Sequence, residues 1–224
     1  MIRPTILDLF CKAGGAAKGY SDAGFTVLGV DIAPQPNYPF PFVQADALDA
    51  LRSLIDGCGP LGGFTFDAIH ASPPCQLYSQ ATNMHDKTQY PDLVGPTREL
   101  LEATGLPYII ENVPGAPLIN PVVYCGSMFL QPRLRRHRHF ETNWPLVSQE
   151  CIHDIQSDLL SVTGHGEGGS HRNGTKRGPY WGQAERRKAM GIDWMNRTEL
   201  AESIPPYFTA HVGRQLIDRL GVTT

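Results

Sequence analysis

Short apolar runs alternate with helical segments over the first half of the chain, and this alternation most limits how the sequence can fold. We interpret five runs as buried strands, at residues 5–10, 26–30, 42–45, 66–71 and 107–110. Strands that alternate with helices in this way form parallel sheets. The sequence therefore predicts an α/β fold with a doubly wound, mostly parallel sheet.

Residues suited to ligand binding or catalysis follow each predicted strand. In chain order they are a glycine turn at residues 11–19, Asp31, Asp46, Cys75 after two prolines, and the pair Glu111-Asn112. Open α/β sheets bind ligands beyond the carboxyl ends of their strands, so we expect these residues to border one crevice. Taken singly, either aspartate also fits a helix cap or turn, and Cys75 also fits a small buried hydrophobe.

The charge of the chain is unevenly distributed. The net charge is −3, yet residues 1–124 hold 6 Lys and Arg against 12 Asp and Glu, whereas residues 125–224 hold 13 against 10. The basic residues concentrate at 133–138 and 172–188. A local basic face of this kind can contact phosphates, although a solvated surface is the alternative.

The cysteines and the chain start indicate the compartment. The five cysteines are scattered and form no Cys-x-x-Cys pair, which is typical of reduced thiols rather than of a disulfide framework. There is no apolar run of transmembrane length, and the first residues lack the pattern of a signal peptide. We therefore expect a cytoplasmic protein without a membrane partner.

The second half of the chain has weaker patterning. Residues 134–141 alternate, so Arg136 and Arg138 are expected to share one face of a strand. We interpret two stretches as loops. Residues 78–91 are expected to form a mobile loop over the site, and the glycine-rich residues 164–182 a flexible loop. Helices are predicted at 184–190 and 207–220.

Taken in order, these motifs resemble those of the DNA (cytosine-5) methyltransferases over almost the whole chain. Pro-Cys-Gln alone is a weak signal, but its combination with a later Glu-Asn-Val and an Arg-x-Arg is specific. The matching residues are Asp8-Leu9-Phe10 with Gly14-Gly15, Asp31, Asp46, Pro74-Cys75-Gln76, Glu111-Asn112-Val113, Arg136-x-Arg138, Arg186 or Arg187 with Met190-Gly191, and Ile204-Pro205-Pro206 with Gly213.

The resemblance implies a Rossmann-like fold, S-adenosyl-L-methionine as the cofactor, and methyl transfer to carbon 5 of cytosine in DNA. It makes Cys75 the nucleophile that forms a covalent adduct with a flipped-out base, assisted by Glu111, Arg138 and Arg136. The cofactor-binding residues that it implies are Asp8, Phe10, Gly14, Gly15, Asp31, Ile32, Asp46, Ala47 and Pro73.

Three departures from the family pattern bear on specificity. Lys12 and Leu134 stand where the family usually has glycine and glutamine, and residues 141–182 are a short glycine-rich, basic insertion in place of a target-recognition domain. We therefore predict a single catalytic domain over residues 1–224, acting as a monomer on duplex or single-stranded DNA in a bacterial or phage-infected cell. Two alternatives stay open: modification of cytosine in RNA or a free nucleotide, and a non-catalytic nucleic-acid-binding relative.

Four cysteine and histidine residues of the second half could be considered as metal ligands. Cys151, His153, His165 and His171 fit no standard zinc pattern, so we expect histidines in a polar loop and no metal.

Overall fold

A seven-stranded sheet with helices on both faces forms the molecule. The structure, a computed structural model, describes residues 3–79, 89–129, 134–155, 160, 162 and 182–222. Within these ranges the strands are β1 (Thr5–Leu9), β2 (Thr26–Asp31), β3 (Phe42–Gln44), β4 (Ala68–Ala71), β5 (Tyr108–Asn112), β6 (Val122–Tyr124) and β7 (Arg138–Thr142). The α-helices are α1 (Gly15–Ala23), α2 (Ala47–Asp56), α3 (Val94–Thr104), α4 (Gln183–Met190), α5 (Arg197–Glu202) and α6 (Pro206–Leu220).

The strand order creates the crevice that the sequence predicts. The sheet runs β3-β2-β1-β4-β5-β7-β6, with the first five strands parallel and β7 antiparallel to both β5 and β6. The chain winds outward from β1 to β3 and then returns to place β4 on the other side of β1. The boundary between β1 and β4 is therefore a topological switch point, where such sheets bind ligands.

Alternating side chains of the strands pack into two separate hydrophobic cores, one on each face of the sheet. Ile6 of β1 packs with α1 and α6 on one face, in a cluster that includes Tyr20 and Phe208. Leu7, the next residue, packs on the opposite face with α2 and α3, in a cluster that includes Leu51. Because neighbouring residues in a strand point to opposite faces, buried parallel strands read as continuous apolar runs.

The predicted fold class is confirmed, and all five predicted parallel strands are present. The boundaries of these five strands shift by one or two residues, and two differences from the prediction bear on the site. Glu111 and Asn112 lie inside β5 rather than after it, and β7 begins at Arg138, so Arg136 lies in the segment before the strand.

Two elements that we did not predict are short. β6 has 3 residues and α5 has 6, too few for a clear period. The signal that could have revealed α5 is its capping box, in which Asn196 Oδ1 accepts from Glu199 N at 3.0 Å and Glu199 Oε2 accepts from Asn196 N at 2.8 Å.

A third apolar cluster involves part of the predicted insertion. Leu160 and Val162 are buried there, and they pack with Ala13, Leu134 and residues of α4 and α5.

Our loop prediction for residues 164–182 falls, except for Gly182, outside the described residues, as does most of the loop predicted at 78–91. No helix in the described part of the chain is long and apolar enough to cross a membrane.

Candidate active site

The predicted catalytic residues meet where β4, β5 and β7 lie side by side. Cys75 follows β4, Glu111 lies in β5, and Arg138 opens β7. β5 pairs with both other strands, on one side with β4 and on the other with β7. The topology therefore brings together three side chains that are far apart in the sequence.

The backbone around Cys75 is held by hydrogen bonds. Asn112 Nδ2 donates to the carbonyl of Pro73 at 3.0 Å, and Val113 N donates to Asn112 Oδ1 at 2.8 Å. The amides of Tyr78 and Ser79 both donate to the carbonyl of Cys75, at 3.0 and 2.9 Å. Asn112 thus ties the loop after β4 to the end of β5, a role that the sequence pattern did not reveal.

Glu111 and Arg138 form a buried ion pair. Arg138 Nε lies 3.0 Å from Glu111 Oε1, with side chains that are 13% and 6% exposed. The contact lacks hydrogen-bond geometry, and Glu111 Oε1 has no hydrogen-bond partner in the described part of the chain. An oxygen of this kind is available to a ligand that carries a donor.

Burial raises the pKa of both acidic groups of the site. Burial raises the pKa of Glu111, and Arg138, Arg136 and the Ser72 hydroxyl oppose this shift. Burial and the Glu111 carboxylate raise the pKa of the Cys75 thiol, while Arg138 opposes them. At neutral pH the thiol is therefore protonated, and it must lose that proton to act as a nucleophile.

Arg136 is buried beside this group. Its Nη2 donates to the carbonyl of Ala201 at 2.7 Å, whereas Nε and Nη1 have no hydrogen-bond partner among the described residues. Burial, with Arg138 as a second cause, lowers the pKa of Arg136 to about 9. Unsatisfied buried donors are costly, so these two nitrogens are suited to hold an acceptor on a ligand.

The turn after β1 is anchored by Asp31 at the end of β2. Asp31 Oδ2 accepts from Lys12 N at 3.1 Å, and Oδ1 accepts from Ala33 N at 3.0 Å. Each carboxylate oxygen retains a second lone pair that can accept from a ligand hydroxyl. Phe10 and Lys12 have φ angles of 57° and 47°, a left-handed conformation that non-glycine residues seldom adopt outside functional turns.

The remaining predicted cofactor residues divide into exposed and structural ones. Ile32 is 68% exposed, an unusual position for an isoleucine, and offers an apolar surface beside Asp31. Ala47 and Pro73 are buried. Asp46 caps α2 by accepting from Leu48 N at 2.8 Å and Asp49 N at 3.1 Å, so its helix-cap interpretation is confirmed.

The two glycines of the turn are required by packing within the chain. A Cβ on Gly14 would lie 2.9 Å from the ring of Tyr38. A Cβ on Gly15 would lie 2.0 Å from Ser203 Oγ and 2.5 Å from the carbonyl of Ile204. The N-terminus of α1 is thus packed against the segment between α5 and α6.

Asp8 is buried in the sheet. It lies inside β1 with 1% exposure, and Tyr38 Oη donates to its Oδ2 at 3.4 Å. Burial raises the pKa of Asp8 to about 8, so the carboxyl keeps its proton at neutral pH. The Lys12 side chain, in contrast, is 56% exposed and its Nζ lies 3.7 Å from Glu202 Oε2.

A buried polar chain beneath the site was not predicted. Tyr20 Oη lies 2.9 Å from His70 Nδ1, and His70 Nε2 lies 2.9 Å from Ser72 Oγ. Burial lowers the pKa of His70 to about 3, so the ring is neutral. A histidine within the apolar run of β4 was the available signal.

Comparison with solved structures identifies the fold. A protein described as a DNA modification methyltransferase encoded within an E. coli prophage superposes with a TM-score of 0.62 at 14% identity, covering 98% of this chain and 100% of that one. The Entamoeba histolytica methyltransferase EhMeth gives 0.61 at 14% identity, covering 98% and 99%. The S. pombe Dnmt2 methyltransferase gives 0.58 at 11% identity, covering 99% and 100%.

Sequence comparison finds a more limited match. The type II methyltransferase M.AgeI of Thalassovita gelatinovora is 28% identical over 119 residues, which are 49% of this chain and 28% of that relative. The match thus spans less than a third of the length of this curated relative. No family model matches the chain. The chain therefore has the Rossmann-like α/β fold of these solved methyltransferase structures, and 49% of its length resembles the sequence of a curated type II methyltransferase.

Proposed function

We propose that this chain transfers a methyl group from S-adenosyl-L-methionine to carbon 5 of cytosine in DNA. The observation that carries the proposal is the meeting of Cys75, Glu111 and Arg138, in which the Glu111 and Arg138 charges both act on the thiol. The four proteins compared above are described as methyltransferases, one of them as a DNA modification methyltransferase.

The cofactor site that we propose lies at the switch point between β1 and β4. Asp31 has lone pairs for ribose hydroxyls, Ile32 offers an apolar surface for a planar base, and the strained turn at Phe10 and Lys12 shapes the opening. When bound, S-adenosylmethionine supplies an electrophilic methyl group on a sulfonium.

Cys75 activates the cytosine ring because carbon 5 alone is a poor nucleophile. Its thiolate adds to carbon 6, and the electron pair of the broken double bond delocalises toward ring nitrogen 3. Because burial raises the pKa of Glu111, this carboxyl group is better able to carry a proton to that nitrogen and so offset the developing charge. Carbon 5 then has enamine character and can accept the methyl group.

Arg138 has two roles in this scheme. Its guanidinium lies against Glu111 and opposes the rise in the pKa of Cys75, and so favours the thiolate.

Arg136 contributes unsatisfied donors from the same side, suited to an oxygen of the base. After methyl transfer the proton on ring nitrogen 3 returns to Glu111. A base then removes the carbon-5 proton, the freed electron pair re-forms the double bond between carbons 5 and 6, and sulfur leaves carbon 6 as the thiolate.

The target base must leave the stack before Cys75 can reach its ring. Unstacking costs a few kcal/mol, which contacts between basic residues and phosphates can offset. Residues 141–182 are too short for a large recognition domain, so we propose a short or relaxed target site. We propose that the protein acts as a monomer in restriction-modification or phage DNA modification, in a bacterial or phage-infected cell.

Transfer of a radiolabelled methyl group tests this function. We expect label in duplex or single-stranded DNA, loss of turnover in Cys75→Ala, and retained S-adenosylmethionine binding in that variant. Label in RNA or free cytidine nucleotide that exceeds label in DNA would favour the alternative substrates. Full activity of Cys75→Ala would overturn the mechanism.

A further inference from the structure

Four side chains that can bind a metal meet outside the candidate active site. They are Cys125, His137, Cys151 and His153, and their sulfur and nitrogen atoms all lie within 4.8 Å of one another. Cys125 Sγ lies 3.5 Å from His153 Nε2, and Cys151 Sγ lies 3.5 Å from His137 Nε2. Two cysteines and two histidines are a ligand set that zinc prefers.

The spacing of these atoms suits a tetrahedral ion. With Zn–S about 2.3 Å and Zn–N about 2.1 Å, sulfur and nitrogen ligands of a regular tetrahedron lie about 3.6 Å apart. The two observed sulfur–nitrogen distances of 3.5 Å are close to that value. Four protein ligands complete the coordination and leave no open position, which is the arrangement of structural zinc.

The fold brings the ligands together from three segments. Tyr124 of β6 pairs with Arg138 of β7, so Cys125 and His137 face each other one residue beyond the last pair of this antiparallel ladder. Cys151 and His153 arrive from the segment that follows β7, where His153 begins a short 3-10 helix. The spacing of these residues along the sequence does not reveal the cluster, because only the folded sheet brings the four side chains together.

Further contacts hold the ligands in place. Ser127 Oγ donates to Cys125 Sγ at 3.3 Å, and Ile152 N donates to Ser127 Oγ at 3.1 Å. Arg135 Nη2 donates to the carbonyl of His153 at 3.4 Å. Hydrogen bonds of this kind orient metal ligands, and those to a sulfur favour the thiolate that a metal requires.

We propose that Cys125, His137, Cys151 and His153 bind one Zn²⁺ as a structural site, which revises our expectation of no metal. Two thiolates balance the charge of the ion, so the site adds no net charge to the fold. The ion joins residues 151–153 to the β6–β7 hairpin, and it fixes His137, the residue between Arg136 and Arg138. Metal binding thus positions the arginines of the candidate active site without taking part in the reaction.

Metal analysis of the full chain tests this proposal without reference to activity. We expect about one Zn²⁺ per chain after purification, or after incubation of reduced protein with Zn²⁺ and removal of the excess. Cys151→Ser should lose the ion, and because Cys151 is exposed the substitution leaves no cavity. Cys58→Ser is the matched control, since Cys58 is also an exposed free cysteine but lies outside the cluster.

Two further measurements separate a metal site from a simple cysteine–histidine contact. Co²⁺ in place of Zn²⁺ should give the visible spectrum of a tetrahedral thiolate complex in wild type and in Cys58→Ser, and not in Cys151→Ser. A chelator should lower the melting temperature of wild type and leave that of Cys151→Ser unchanged. Reduced wild-type protein that binds neither ion, or equal metal loss in Cys58→Ser and Cys151→Ser, would overturn the proposal.

Discussion

The pKa of the Cys75 thiol depends on burial and on two charged neighbours. Burial is the main cause that raises this pKa, the Glu111 carboxylate raises it further, and Arg138 lowers it. The thiolate fraction at a given pH therefore reports on both neighbours, and each can be removed by a single substitution.

We expect Arg138→Ala to raise the pKa of Cys75 above that of wild type, and Glu111→Gln to lower it. The pH dependence of iodoacetamide alkylation, followed on the Cys75 peptide by mass spectrometry, measures both shifts. Cys58, exposed in the same chain, is the internal control and should react equally in all variants. Unchanged profiles for Cys75 would show that the three side chains are not electrostatically coupled.

Asp8 makes a pH-dependent contribution to stability. Its pKa is raised from 3.8 to about 8 by burial, so the unfolded chain loses this proton near pH 4 while the folded chain retains it. The free energy of unfolding is therefore reduced as pH rises from about 4 to about 8, by up to about 1.4 kcal/mol per pH unit.

Asp8→Asn removes this dependence, since the amide does not titrate. We expect the melting temperature of the variant to gain on wild type as pH rises from 5 to 8, measured by calorimetry. His70 acts in the opposite direction, because its lowered pKa reduces the free energy of unfolding as pH falls below about 6.5. His70 is present in both wild type and variant, so its effect cancels in the difference between their melting temperatures. A constant difference between the two chains at every pH would contradict a protonated Asp8.

Among the elements, the contact between β5 and the loop after β4 decides where Cys75 lies. Asn112 makes this contact with its side-chain amide, which donates to Pro73 O. The sequence predicted both strands and placed Glu111 and Asn112 at their crevice end. It could not predict that Asn112 fixes the loop, because the partner is a backbone carbonyl 39 residues away.

Asn112→Ala should slow covalent bond formation by Cys75 while leaving cofactor affinity unchanged. It should also destabilise the chain by about 1–3 kcal/mol, because a buried carbonyl loses its hydrogen-bond donor. The measurements are the adduct rate on DNA containing 5-fluorocytosine and urea unfolding.

Asn143→Ala is the matched control, since Asn143 also bonds backbone groups, Tyr108 N and Leu106 O, at the opposite end of β5. It should lose stability but keep the adduct rate. Equal adduct rates in the two variants would show that Asn112 has only a structural role.

Across the whole molecule, the N-terminal turn is closed by the C-terminal helices. α1 packs along α6, and Gly15 sits directly against Ser203 and Ile204. Our interpretation of the glycine turn as space for a ligand was incomplete, because the close neighbours of Gly15 are residues nearly 190 positions later. Contacts over such separations leave no local pattern in the sequence.

Gly15→Ala should destabilise the chain by about 1–3 kcal/mol, since the new Cβ meets a backbone carbonyl that cannot turn aside. Gly95→Ala in α3 is the control, because nothing lies within 4 Å of its Cβ, and alanine there should stabilise by up to about 1 kcal/mol. Urea unfolding compares the two variants. Equal stability of both would contradict the packing of α1 against the C-terminal segment.

Some residues of the site could be predicted from the sequence and others could not. Cys75, Glu111 and Asp31 were found because each follows or ends a recognisable strand and belongs to a motif in fixed order. The cluster of Cys125, His137, Cys151 and His153 could not be found in this way. Its side chains come from three segments that only the antiparallel end of the sheet brings together.

Covalent trapping is the decisive measurement for the role of Cys75. When the chain is incubated with S-adenosylmethionine and DNA containing 5-fluorocytosine, fluorine replaces the carbon-5 proton, so elimination is blocked and the adduct should persist. We expect a denaturation-resistant complex of one chain with DNA, with the DNA attached to the Cys75 peptide, and no complex with Cys75→Ser. If the chain methylates cytosine without forming this adduct, or if Cys75→Ser still forms it, Cys75 is not the nucleophile.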